Sequence, residues 1–73
     1  MNQTTFMAKM QELLEREEEL AFDMSLDEID EWDSLSFAAF LAMADKVPGN
    51  NATPKAIRGA KTIGDLFVLV KTE

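Results

Sequence analysis

From Asp33 to Lys46 the chain opens on an acid and a serine and then, Ser36 apart, is apolar as far as Ala44. Phe37, Phe40, Leu41 and Ala44 recur at i, i+3, i+4 and i+7, which is the spacing of one face of an α-helix. Leu35, Ala38 and Ala42 fall on a second, narrower strip on the side that carries Ser34. The segment therefore predicts a central helix with one face for a core and another face available to a partner.

Asp33 is placed to cap this helix, because its carboxylate can accept a hydrogen bond from an amide that the first turn leaves unpaired. Ser34 then falls in the first turn. A phosphate ester on its hydroxyl is expected to meet unpaired amides and the positive end of the helix dipole.

The rest of the chain reads as three further helices. Thr4 or Thr5 is expected to cap a first helix running to about Leu20, with Phe6, Met10, Leu13 and Leu14 on one face. Glu15, Glu17, Glu18 and Glu19 set like charges against the negative end of its dipole, which predicts a frayed last turn and a solvated face. From Ala21 to Trp32 the periodicity breaks. Phe22, Met24, Leu26, Ile29 and Trp32 are expected to pin a loop over the core, with Trp32 as an anchor and a Ser25/Glu28 capping box starting a short turn over Leu26 to Asp30.

After the central helix, Pro48 and Gly49 stop helical growth and Asn50 and Asn51 tolerate turn conformations, so Val47 to Ala52 reads as a loop. Thr53 and Pro54 mark the cap and first position of a short third helix that passes through Ile57 and ends at Gly59. Thr62, with Asp65 three residues on, has the spacing of a capping box and begins a fourth. Its buried stripe is Ile63, Leu66, Phe67 and Val70; the cap argues for a helix over the strand that its β-branched residues would also suit.

Composition excludes several classes of function. The chain has 73 residues and no cysteine, so neither a disulfide framework nor a cysteine metal site supports it. A net charge of −7, from 14 acids against seven bases, disfavours nucleic acid as a partner and suits docking on basic protein surfaces. The first residues do not have the pattern of a signal peptide, and no apolar run is long enough for membrane insertion, which is the expectation for a cytoplasmic protein. Without His, Cys or Tyr the chain lacks the usual general bases and a thiol nucleophile, and Ser34 has no imidazole to activate it, so it is not expected to be an enzyme. Asp23, Asp27, Asp30 and Asp33 invite a calcium loop, but Glu28 stands where the loop requires Gly and Ser34 where it requires a bidentate Glu, so no metal site is expected.

Asp33-Ser34-Leu35 at a helix start resembles the Asp-Ser-Leu motif of acyl carrier proteins, small acidic helical bundles whose serine bears 4′-phosphopantetheine. Trp32 ahead of it is similar to the Trp-Asp-Ser-Leu variant of some specialised carriers. The resemblance covers nearly the whole chain in the order long helix, loop, Asp-Ser-Leu helix, short helix, final helix. It implies an all-α fold, a small four-helix bundle of acyl-carrier type with a short third helix, as a single domain over residues 1–73.

The resemblance further implies that a phosphopantetheinyl transferase uses coenzyme A to attach the arm to Ser34, and that Asp33 and Leu35 belong to this cofactor site. Asp33 is then expected to help hold a metal ion or the transferase during modification. The arm's thiol carries acyl groups as thioesters among acyl-loading and synthase enzymes of fatty acid or specialised acyl and polyketide biosynthesis, with the carrier itself a monomer. Typical carriers have several acids on the central helix. Here only Asp45 follows Asp33, and the acids lie upstream at Asp27, Glu28, Asp30 and Glu31. Docking is therefore expected to rely on Leu35, Ala38 and Ala42, with the upstream acids steering. Val47, Pro48, Asn50 and Ala52 replace the bulkier loop of typical carriers, so the loop's share of the core is expected to be smaller, and a small cargo left outside is as consistent as a sheltered fatty chain. Two alternatives stand beside this reading: an aminoacyl or peptidyl carrier, and an unmodified helical interaction domain that uses Leu35, Ala38 and Ala42 as a groove.

Overall fold

The computed structural model describes residues 1–71 and contains, among them, four α-helices and no strand: α1 (Gln3–Leu14), α2 (Ser34–Asp45), α3 (Pro54–Gly59) and α4 (Ile63–Val70). This is a small helical bundle, with a 3-10 turn at Leu26–Glu28 inside the long α1–α2 connection.

α1 begins earlier and ends sooner than its periodicity predicts. Asn2, not Thr4 or Thr5, is the cap, and its Oδ1 accepts from the Thr5 N–H at 2.8 Å. The helix does not reach Leu20. Glu15 takes a left-handed conformation (φ 52°), its N–H donates to the Glu12 carbonyl, and the Arg16 N–H donates to the Gln11 carbonyl at 3.1 Å. These two bonds close the helix end and satisfy carbonyls of its last turn. The Gln11 side chain ties the run back by donating to the Arg16 carbonyl at 2.7 Å, so the chain turns sharply where fraying was expected.

The connection to α2 is held by α4. Its 3-10 turn is shorter than the Ser25/Glu28 capping box predicts, because the Ser25 hydroxyl accepts from the Asp27 N–H and not from that of Glu28. The Leu26 N–H donates to the Lys61 carbonyl at 2.9 Å, and the N–H groups of Ile63 and Gly64 donate to the carbonyls of Met24 and Phe22 at 3.1 and 2.8 Å. Gly64 permits this approach: a Cβ there would stand 3.0 Å from the Phe22 carbonyl oxygen.

The core lies between the stripes of all four helices. Phe6, Met10, Phe40, Ile57, Ile63, Leu66 and Val70 are fully buried, and each such large side chain contributes about 1.5–3 kcal/mol on leaving water. That burial stands in for the disulfides the chain lacks. The Phe6 and Phe67 rings meet edge to face at 5.1 Å, with Phe22 5.5 Å from Phe67. Val47 and Ala52 from the α2–α3 loop are buried at its margin, where their small side chains add little volume. No helix among the described residues is long and apolar enough to cross a membrane.

Candidate functional site

The start of α2 is built by two reciprocal side chains. Asp33 has extended backbone, and its Oδ1 accepts from the N–H groups of Leu35 and Ser36, each at 3.0 Å. The Ser36 hydroxyl accepts from the Asp33 N–H at 2.7 Å and donates to the Glu31 carbonyl at 2.8 Å. Ser36 is 6% exposed, the one buried polar residue among those described, and its hydroxyl is fully engaged. With Asp33 and Ser36 fixed, Ser34 becomes the first residue of the helix and points to the outside. It is exposed, and no hydrogen bond engages its hydroxyl among the described residues.

This geometry corrects one expectation. Asp33 was expected to accept from one first-turn amide and leave others for a phosphate on Ser34, but its carboxylate takes two, those of Leu35 and Ser36. The amide bonds, that of Ser36 foremost, hold the Asp33 carboxyl below its ordinary range, so a negative charge sits one residue before Ser34.

The other predicted site residues separate into groups. Leu35 is 82% exposed, and Ala38 and Ala42 are exposed with it. Asp27, Glu28 and Asp30 are exposed as well. Glu31 differs, because its carboxylate meets the Arg16 guanidinium at 2.9 Å and is partly neutralised there. Glu31, Asp33 and Leu35 border one shallow depression with Leu13 and Ala39, which Asp27, Glu28 and Asp30 do not reach.

Trp32 has two roles. It is half-buried and packs edge to face on Phe40 at 6.2 Å, as an anchor should, and it also lies 6.5 Å from Phe37 on the outer side. There Trp32, Asp33, Ser34, Phe37 and Arg58 line an open depression of about 390 Å³. The Arg58 guanidinium, from α3, sits 5.3 Å from the centre of the Phe37 ring. A wider cleft of about 640 Å³ runs between α1 and α2, bordered by Leu13, Ala39, Ala42, Met43 and the lysines Lys9 and Lys46.

Ser36, Arg16 and Arg58 were not legible as site residues in the same degree. Ser36 stands three residues after Asp33, a capping-box spacing that could have singled it out. Arg16 and Arg58 have no local signal, since each acts across the fold.

Chemically, the site presents an exposed primary hydroxyl with an ionised carboxylate beside it and no histidine in the chain to activate it. Such a hydroxyl suits modification by another enzyme better than attack on a substrate of its own. No group of three or more metal-ligating side chains is assembled among the described residues. Comparison with protein-family models, curated protein sequences and solved structures returns no match.

Proposed function

We propose that the protein is an acyl carrier of the acyl-carrier fold type, with 4′-phosphopantetheine attached to Ser34. The observation that carries this reading is the exposed, unengaged Ser34 hydroxyl at the first position of α2, set there by Asp33 and followed by a leucine that is 82% exposed. The arm, when attached, supplies a thiol that holds acyl cargo as a thioester.

The chain's own residues position and recruit. Asp33 holds the helix start, so that Ser34 is presented in one orientation to an incoming transferase. Leu35, Ala38 and Ala42 form an apolar strip beside the attachment point, suited to a transferase or synthase surface. Asp27, Glu28 and Asp30 supply the long-range negative field that attracts basic partners, with Glu31 contributing less because Arg16 offsets it. Tethering keeps cargo at high local concentration for each enzyme in turn.

Intact-protein mass spectrometry after incubation with coenzyme A, Mg²⁺ and a broad-specificity phosphopantetheinyl transferase tests the reading. The expected result is the gain of one phosphopantetheine that is absent in Ser34→Ala, while the stability of that variant stays within about 0.5 kcal/mol of the parent. Absence of any gain in the folded protein across several transferases would favour the unmodified interaction domain, with the same apolar strip as its docking face.

A further inference from the structure

The start of α2 leaves an electrostatic problem for a phosphodiester on Ser34. The amides of Leu35 and Ser36 are occupied by Asp33, the Asp33 carboxylate is negative, and the protein as a whole carries −7. A group bearing a further negative charge needs a donor from elsewhere. The depression that contains Ser34 holds one cation among its lining residues, Arg58.

Arg58 is suited to that task. The chain has 14 acids, yet the Arg58 guanidinium forms no ion pair among the described residues, whereas the other arginine, Arg16, is engaged by both Glu31 and Glu18. Instead it rests over the Phe37 ring at 5.3 Å, and Phe37 in turn lies against Trp32. A cation held over an aromatic face keeps its N–H fork available at the rim, and this fork matches phosphate oxygens in pairs. Lys55 and Lys61, although near in sequence, do not line the depression.

We infer that Arg58 is the phosphate-binding residue of the attachment site: its guanidinium takes the oxygens of the phosphodiester on Ser34 and seats the first part of the arm over Trp32 and Phe37. This inference rests on the carrier reading above. It makes α3, through one residue, part of the cofactor site, and it offsets the repulsion from Asp33.

The two arginines make the test direct, because the Nε–H region of a ¹⁵N spectrum contains one signal from each. On modification of Ser34, confirmed complete by mass, the Arg58 signal shifts and the Arg16 signal stays in place. The ³¹P resonance of the modified protein then moves when Arg58 is changed to Gln and returns part of the way in Arg58→Lys, which keeps the charge and loses the fork. Arg58 is exposed, so both variants fold, and circular dichroism checks that they do. An Arg58 signal unmoved in fully modified protein, or a ³¹P resonance indifferent to Arg58→Gln, overturns this inference alone. A Ser34 that accepts no group overturns the carrier reading, and the inference falls with it. A slower modification of Arg58→Gln with an unchanged ³¹P resonance would assign Arg58 to transferase contact and would likewise overturn it.

Discussion

α2 and α4 begin with the same local device and put it to different use. At each start the cap side chain accepts from the amide three residues on, and the side chain at that third position accepts from the amide of the cap: Asp33 with Ser36, and Thr62 with Asp65. The residues just after the two caps differ in their surroundings. In α4 the first residue, Ile63, is fully buried, and the amides of Ile63 and Gly64 are bonded to the α1–α2 connection. In α2 the first two residues, Ser34 and Leu35, are exposed, and the buried partner is instead Ser36. A capping box fixes where a helix starts; its surroundings decide whether that start is structural or available.

The largest effect that tests this contrast is at the residues behind each cap. Ile63→Ala is expected to cost about 2–5 kcal/mol in urea unfolding, as a deletion in a closed core, whereas Leu35→Ala changes stability by less than about 0.5 kcal/mol. Similar losses at the two positions would mean that the α2 start is packed as tightly as that of α4. On function the order reverses, with Leu35→Ala slowing modification by the transferase and Ile63→Ala acting only through unfolding.

The third positions and caps give a smaller difference. Ser36→Ala leaves the Glu31 carbonyl and the Asp33 N–H without their partner in a part-buried setting, which costs about 1–3 kcal/mol. Thr62→Ala, at a partly exposed cap, costs about 1 kcal/mol. Equal values from parallel denaturation curves would show that burial adds nothing to the α2 box.

The smallest effect is in the pH dependence, where the two boxes should behave alike. The Asp33 carboxyl is held below the ordinary value of about 3.8 chiefly by the Ser36 amide, and Asp65 likewise by the amides of Lys61 and Thr62. A folded value below the unfolded one stabilises the protein above the unfolded value, and that contribution is lost as pH falls through the folded value. Asp33→Asn and Asp65→Asn should therefore each flatten the fall of the melting temperature below about pH 3.8, and neither should alter its slope near neutrality. A difference between them would show that the two carboxylates feel different surrounding charges.

Much of the architecture was legible because it is decided within four residues. Asp33, Thr53 and Thr62 cap the helices they were expected to cap, Pro54 opens α3, and Ile63, Leu66, Phe67 and Val70 form the buried stripe of α4. Capping and periodicity are local, and neighbours along the chain suffice to state them. The exposure of Ser34, Leu35, Ala38 and Ala42 follows from the same periodicity once one face of α2 is known to be buried.

Other features depended on residues far apart in the chain. α1 stops at Leu14 because the Gln11 carbonyl and side chain find donors and acceptors in the turn beyond, a solution that the helical pattern through Leu20 conceals. Glu31 is only partly available for steering because Arg16 reaches it across the fold. Arg58 joins Ser34 because α3 packs its last turn beside the start of α2, with Phe37 between them. The order of residues is enough to state where α2, α3 and α4 begin and which serine stands at an open end, since hydrogen bonds to near neighbours settle both. Which charges surround that serine depends on the packing of the helices, because electrostatic partners act through space and the chain order does not record the distance between them.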